Sequence, residues 1–466
     1  MKPAAQPAVK LIATLAALTL CAGCAGPRQD KPREADPPLP AQWRDGGTES
    51  PSAPSAPSAE GNWWSAFGDP ALPQLVERAL ARNDDLAIAA ARVMEARALS
   101  SLARAQQLPA LDASLAAARQ ADVSPFGQPR TQNEGQAELR LSYDLDLFGR
   151  LEQTSAASRA ALLATEAGRQ NVRLAISAAV ADAYINLCAL DARLDILHAT
   201  LDARSASLHL AKRRSEAGYA PALDLWQAQA EYHATEQLIP AALLAIRRQE
   251  NALSVLLGEA PQDFPRSGSL GKLLAPEVPL SLPSSLLRRR PDLIQAEQQL
   301  VAADHSLDAV RASFMPSVRL GASGGVVASN LLNNPIAVFS LGGSVLAPLL
   351  DSGRLDAQQD AAVARRDQAA FAYRKAVLTA FREVEDARAA AARNAEQATA
   401  LGLQRDALFQ VQERARKRYR SGYAPYLEQL DAQRSYLNAE LALVQAQAEQ
   451  LAAHVRLYQA LGGEWR

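Results

Sequence analysis

The sequence predicts a mainly α-helical fold with a small β part, duplicated within the chain: long antiparallel coiled-coil helices plus four transmembrane β-strands. Three observations carry that expectation. Short motifs recur about 204 residues apart; apolar side chains follow a 3.5-residue seam over very long stretches; and four segments alternate apolar and polar residues with period two.

The repeat organises everything else. Gly218-Tyr219-Ala220-Pro221 returns as Gly422-Tyr423-Ala424-Pro425, Leu257-Gly258 as Leu461-Gly462 and Gly149-Arg150-Leu151 as Gly353-Arg354-Leu355, each at an offset of 204. Upstream, Asp85-Leu86 matches Asp292-Leu293 at an offset of 207, so the copies differ by three residues, which points to a loop between strands. The division that follows is residues 62-258 for the first repeat, 259-285 for a connector and 286-466 for the second repeat.

Taken in order, residues 1-23 read as a secretory signal: Lys2 and Lys10 precede the apolar run Leu11 to Leu20 and the small pair Ala22-Gly23. That run is too short for a helix to cross a ~30 Å hydrocarbon layer. Leu20-Cys21-Ala22-Gly23-Cys24 resembles a bacterial lipoprotein processing site, which implies cleavage before Cys24 and acylation of its thiol. Residues 24-61 are rich in Pro, Ser and Ala and predict an extended, lipid-anchored tether with nothing to pack.

Each repeat opens with an Ala-rich helical stretch, about 72–107 and 286–313, closed by Pro109 and Pro316. The period then changes to two. Along 137–147, Ala137, Leu139, Leu141, Tyr143, Leu145 and Leu147 alternate with polar residues, which gives one apolar and one charged face. Partner strands are expected at 110–118, 317–326 and 336–347, of the ~9–11 residues that a tilted membrane strand needs. A very long helix follows, about 151–217, with a seam from Ile176 through Val180, Leu187, Leu190, Leu194 and Leu197 to Leu201 that resumes after Arg204. The Gly218–Pro221 turn returns the chain through a helix at about 222–258, which Pro240 should kink. The second copy repeats this at about 355–420 and 426–461, with Arg434 the one polar member of its seam.

Four strands cannot close a barrel, and open strand edges in lipid leave backbone groups unpaired, so several copies must pool their strands. With a formal charge of -1 and a pI near 6.6, the chain lacks the basic field that nucleic acid requires. The run Arg288-Arg289-Arg290 reads as a solvated loop before a helix opened by Pro291-Asp292. Gly321 to Gly325 fits G-x-S-x-G, yet strand-like sequence lies on both sides of Ser323, where a nucleophile elbow needs a helix. His198, His209, His233, His305 and His454 have no metal-ligand spacing, so no cofactor or metal is expected.

Trp63-Trp64-Ser-Ala-Phe-Gly-Asp69-Pro70, Asn83-Asp84-Asp85-Leu86, Glu95-Ala96-Arg97, Tyr143-Asp144-Leu145-Asp146, Arg290-Pro291-Asp292 and Leu430-Asp431-Ala432-Gln433-Arg434-Ser435 together resemble the signature of the TolC-like outer membrane factors, NodT/OprM branch. The resemblance runs from about Trp63 to Gly462. It implies a homotrimer in the outer membrane with a 12-stranded barrel, a periplasmic α-barrel and an equatorial belt. It also implies a passive, non-enzymatic exit duct of a tripartite efflux pump, in contact with outer-membrane lipid, a periplasmic adaptor (membrane fusion) protein and an inner-membrane pump of the RND or another class. By the same resemblance, Leu427, Glu428 and Asp431, with Asp224 in the first copy, would form the periplasmic gate. Asp224 and Glu428 have a second reading as simple complements to a helix N-terminus. Gly218, Tyr219, Ala220, Pro221 and Gly422, Tyr423, Ala424, Pro425 would be the tips that meet the adaptor, and Trp63 and Trp64 are read as packing or belt residues. The competing expectation is a lipid-anchored periplasmic coiled-coil scaffold without a channel.

Overall fold

In the computed structural model, the described residues are 30–37, 43–44, 62–123, 125–266, 269–276, 286–330 and 332–463. The signal segment, Cys24 and much of the tether and connector lie outside them. In the first repeat, helices α1 (Ala71–Arg82) and α2 (Asp84–Ala105) lead to strands β1 (Ala110–Val123) and β2 (Pro129–Leu145). Helix α3 (Arg150–Glu216) follows, with α4 (Ala222–Glu236) and α5 (Leu238–Leu256) returning. In the second, α6 (Leu286–Arg289) and α7 (Pro291–Ala312) precede β3 (Ser317–Ser329), β4 (Ile336–Leu346), α8 (Arg354–Arg420) and α9 (Tyr426–Ala460). Each of α3 and α8 has 67 residues, about 100 Å of helix at ~1.5 Å per residue.

The chain resolves into two compact units. One comprises Arg92–Glu166 and Gln295–Lys375 with the described residues up to Pro37. Its centre is an antiparallel sheet in the order β1-β2-β3-β4. The register aligns Leu115 with Ala137, Ala137 with Val326 and Val326 with Ala337, and likewise Leu141 with Ala322 and Ala322 with Leu341. All of these share one apolar face. The opposite face carries Asp112, Arg140 and Ser323 in one row and Asp144 against Arg319 in another, the latter pair bidentate at 2.6 and 3.1 Å.

Strands β1 and β2 overrun the alternating segments seen in the sequence, and the register explains why. From Leu145 to Gly135 the apolar face is continuous, which at ~3.4 Å per residue and ~40° tilt is roughly 26 Å, the height of a barrel's lipid band. Beyond Gly135 that face passes to Asn133, Thr131 and Arg119. A hairpin that has left the bilayer has water on both sides, so pairing continues while the alternation lapses. The second hairpin is shorter, and its lead into α8 longer, than in the first copy. Ser323 sits within β3, its Oγ 2.9 Å from Ser340 Oγ, with strand on either side.

Carboxylates start the long helices. Asp146 accepts from Leu151 N and Glu152 N at 3.1 and 2.7 Å, and Asp351 accepts from Leu355 N at 2.9 Å, each beside a left-handed glycine, Gly149 or Gly353.

The second unit contains Pro38–Ala91, Ala167–Ile294 and Ala376–Arg466. Its main core packs Trp63, Trp64 and Phe67 with Leu72 and Val76 of α1, Val180, Tyr184 and Leu187 of α3, Leu253 of α5 and Val455 and Tyr458 of α9. Trp63 stacks on Tyr458 at 5.2 Å, so the tryptophan pair is core. Helix α3 is long and apolar enough to cross a bilayer, but more than half of the qualifying stretch is buried within the protein.

Three expectations need correction. The opening helical stretches are each divided, at Asn83 and at Arg290, because those side chains turn back to end the return helices. Asn83 Nδ2 donates to Leu256 O at 2.9 Å and Arg290 Nη1 to Ala460 O at 3.0 Å, the same contact in both copies. Arg290 is therefore no solvated loop residue: it is buried, and Asp292 and Glu383 each accept from Nη2 at 2.7 Å. The return helix divides at Gln237 into α4 and α5, three residues ahead of Pro240, whose ring has no N–H for Glu236 O. The tether is not wholly free: in the first unit Arg366 Nη2 donates to Asp30 O at 3.2 Å and Ala35 is buried. In the second, Trp43 meets Phe381 edge-on at 6.1 Å and Arg44 N donates to Glu385 Oε1 at 2.8 Å. A small apolar side chain and one indole suffice to dock a segment whose composition otherwise reads as unpacked.

Candidate functional site

The two long helices end alike, in the second unit. Gly218 (φ 74) lets Tyr219 N donate to Arg214 O at 2.8 Å, and Gly422 (φ 79) lets Tyr423 N donate to Arg418 O at 2.9 Å. A left-handed glycine thereby satisfies the last helical carbonyls. Pro221 and Pro425 then occupy the N-cap positions of α4 and α9. Gly218, Tyr219, Pro221, Gly422, Tyr423 and Pro425 are exposed and Ala220 and Ala424 half-buried. Arg214 fastens one tip to the other: Nη1 donates to Tyr419 O at 2.8 Å, Nη2 to Arg420 O at 2.7 Å, and the guanidinium lies 4.7 Å from the Tyr419 ring centroid.

The expected gate residues occupy the turns beside these tips. Leu427 and Asp431 are exposed on α9. Glu428 is half-buried, 3.4 Å from Arg418 Nε, so it has a cationic partner as well as a helix N-terminus. Asp224, on the first turn of α4, is half-buried; burial pushes its carboxyl above the usual range, against the pull of Arg214. Leu427, Glu428 and Asp431 thus share one end of one helix, with Asp224 in the matching turn of the other copy.

The sequence did not reveal what holds the opposite face of α9. Tyr426, Gln429, Leu430 and Gln433 are buried. Tyr426 and Leu430 join Ala211, Ala228 and Tyr419 in a small apolar cluster, and burial pushes the Tyr426 hydroxyl up to about 12. Next comes a polar layer. Gln429 Nε2 and Gln433 Nε2 both donate to Ser207 Oγ of α3, at 3.0 and 3.3 Å. Alongside, the Glu231 carboxylate of α4 lies 2.9 Å from Arg204 Nη1 of α3 and accepts from Arg434 Nε of α9 at 3.0 Å, with Arg434 Nη2 on the same oxygen. Arg204 is further satisfied by Glu231 O at 2.7 Å and Thr235 Oγ1 at 2.6 Å. A second apolar cluster, Leu197, Ala242 and Leu437, follows beyond. Arg204 and Arg434 were visible in the sequence as breaks in two heptad seams; their shared partner Glu231 was not, because α4 has no comparable seam to break.

Among the described residues no three His, Cys, Asp or Glu side chains gather as a metal site. The arrangement is an exposed Asp431 and Leu427 with a half-buried Glu428 on a helix end whose rear face is pinned by charge-assisted hydrogen bonds.

Comparison with known proteins gives one family. Residues 75–259 and 282–463 match the model of the outer membrane efflux protein family. The solvent efflux pump outer membrane protein SrpC of Pseudomonas putida is 34% identical over 441 residues, covering 92% of this chain and 93% of SrpC. Among solved structures, the outer-membrane channel OprN superposes with a TM-score of 0.84 at 29% identity, covering 94% of this chain and 99% of that one. The open state of the MtrE outer membrane channel of Neisseria gonorrhoeae gives 0.80 at 28% identity, covering 94% and 98%.

Proposed function

The chain belongs to the outer membrane efflux protein family, and from that premise we propose that it is the exit duct of a tripartite efflux pump, a passive trimeric outer-membrane channel. One observation carries the reading: a four-stranded sheet with one continuous apolar face, one charged face and two edge strands that each have a single neighbour. Lipid forbids such edges, so β1 of one copy must pair with β4 of another until the barrel closes. Three copies give twelve strands, with the Asp144–Arg319 face turned to water inside. The pump's selectivity then lies with its inner-membrane member, because rings of side chains in a wide duct discriminate only at constrictions.

Leu427, Glu428, Asp431 and Asp224 form the periplasmic gate in this reading, since their helix ends carry carboxylates, Asp431 exposed and Glu428 and Asp224 half-buried, that threefold repetition converts into rings. The tips Gly218–Pro221 and Gly422–Pro425 receive the adaptor, to which they offer Tyr219 and Tyr423, 86% and 80% exposed. Cys24 carries the lipid, and residues 24–61 lead from it to the folded part. No catalytic role is assigned to any residue.

The test is electrical. In planar bilayers the purified oligomer should conduct, and Asp431→Ala, alone or with Glu428→Ala, should raise conductance and weaken cation preference. Absence of any current, together with loss of detergent-resistant oligomers from outer-membrane fractions, would favour the scaffold. Unchanged currents in both variants would remove the gate assignment but leave the duct. Cys24→Ser should abolish acyl labelling while oligomers persist.

A further inference from the structure

The ends of the two long helices hold more positive charge than closing a helix requires. The last turns of α8 carry Arg414, Arg416, Lys417, Arg418 and Arg420, and those of α3 carry Lys212, Arg213 and Arg214. A helix C-terminus presents about half a negative charge, which one cation already complements. Instead, Arg414 stands three and four residues from Lys417 and Arg418, and Arg416 four from Arg420, spacings at which like charges destabilise a helix. The duplication kept the feature: offset by 204, Arg416, Lys417 and Arg418 correspond to Lys212, Arg213 and Arg214. The second copy adds Arg414 and Arg420 where the first has Leu210 and Glu216.

Little of this charge is matched within the tips. Arg214 is committed to the carbonyls of Tyr419 and Arg420, Arg416 lies 2.6 Å from Glu413, and Arg418 lies 3.4 Å from Glu428. Lys212, Arg213, Arg414, Lys417 and Arg420 are exposed, while Ala415 and Tyr419 are buried. Copies of the chain cannot neutralise one another here. Residues 209–224 and 413–431 hold eight Lys and Arg against five carboxylates, Glu216, Asp224, Glu413, Glu428 and Asp431, so every added copy adds to the excess. The whole chain has 49 Lys and Arg against 50 Asp and Glu, so the excess is local to the tips. Along α8, Arg414, Lys417 and Arg420 recur at every third residue, a step of ~4.5 Å at ~1.5 Å per residue. A second helix with carboxylates three or four residues apart presents charges at the same pitch.

We infer that these cations form a basic collar that draws in an acidic partner, namely a periplasmic adaptor whose contacting helix carries carboxylates at three- and four-residue spacing. The inference rests on the reading of the tips as adaptor contacts and adds the chemistry of that contact. Lys212, Arg213, Arg414, Lys417 and Arg420 steer the approach, since opposite charge acts across about a Debye length, ~8 Å at physiological salt. The exposed rings of Tyr219 and Tyr423 then offer the aromatic surface on which a docked helix rests. Charge of this kind governs the rate of association more than the lifetime of the complex.

Full-length oligomer in detergent is the system, and synthetic two-helix hairpin peptides are the probes, one with Glu along its exposed face and one with Gln at the same positions. At about 50 mM salt the Glu hairpin should associate at least about ten-fold faster than the Gln hairpin, and by about 500 mM the two should converge. Lys212→Gln/Arg213→Gln/Arg414→Gln/Lys417→Gln/Arg420→Gln should abolish the advantage, whereas Arg213→Lys/Arg414→Lys/Arg420→Lys should keep it. Equal rates for the two hairpins overturn the inference. So does equally fast binding of a peptide of the same charge whose prolines forbid a helix, or of phosphatidylglycerol vesicles, which would make the collar a site for any polyanion or for a lipid surface. Should the five-fold variant lose its oligomers, Lys417→Gln/Arg420→Gln decides: a reduction of at least about three-fold is expected, and unchanged rates overturn the collar. Photocrosslinking from position 423 in cells separates the two readings. A second protein crosslinked equally in the wild type and in the five-fold variant keeps the tips as the contact and overturns the collar. No crosslink in either removes the adaptor reading, and the hairpin rates alone then judge the collar's preference for an acidic helix.

Discussion

Replacing Glu231 by Gln tests the pinning of α9 most directly. Its carboxylate serves two guanidiniums in very different settings: the Arg204 side chain is 5% exposed and the Arg434 side chain 50%. Stranding a buried charge by deleting its partner costs ~3–5 kcal/mol, whereas losing a surface ion pair costs ~0.2–1 kcal/mol. Arg204 keeps its bonds to Glu231 O and Thr235 Oγ1, so the low end of the first range applies. Glu231→Gln should therefore destabilise the helix end by about 3 kcal/mol and Arg434→Ala by about 1 kcal/mol or less. Local amide exchange of α4 and the first turns of α9 is the suitable assay, because barrel oligomers unfold irreversibly and a melting point would report a rate. Both variants should raise the frequency of channel opening, Glu231→Gln the more. If Arg434→Ala proves as damaging as Glu231→Gln, the buried Arg204 pair is not what holds α9, and the energetic order argued from burial is wrong.

Other expectations come from the second unit. At Gly258 (φ +66) a Cβ would lie 2.4 Å from Arg82 O, whereas at Gly218 (φ +74) it would meet nothing within 4 Å. Gly218→Ala should thus cost only the left-handed penalty of ~1–2 kcal/mol, and Gly258→Ala roughly another 1–3 kcal/mol, ranked by denaturant resistance. Burial pushes the Asp182 carboxyl up to about 6, with Arg456 pulling the other way. Because that lies above the unfolded value of ~3.9, the contribution is fully present below that value and is lost as pH rises through about 6. Exchange protection around Asp182 should accordingly fall between about pH 4 and pH 6 and level off above, and Asp182→Asn should abolish the change. Burial likewise pushes the Cys188 thiol up to about 11. It should resist alkylation near neutral pH until the protein is denatured.

Much of the architecture was legible because it is written in periods. The Gly-Tyr-Ala-Pro repeat located both tips, where left-handed glycines close the two long helices. The 3.5-residue seams ran along α3 and α9, and the 204-residue repeat gave α8, each nearly to the residue. Period two found the strands only where lipid demands alternation, so the ends of β1 and β2 escaped. The break at Asn83 escaped too, since it depends on a carbonyl far along the chain, Leu256 O, whereas Pro291-Asp292 announced the helix start after Arg290 but not the bond from Arg290 to Ala460 O.

By itself, then, the sequence determined the duplication, the helical rods, the amphipathic strands and the need for more than one copy, because each follows from local periodicity and from the solvent that a periodic face must meet. Tertiary structure alone decided which residues hold the first turns of α9. Arg204, Glu231 and Arg434 come from three helices, and Ser207 meets Gln429 and Gln433 from more than two hundred residues away. Such partners share no period, and only the packing of the helices puts a lone carboxylate between two guanidiniums.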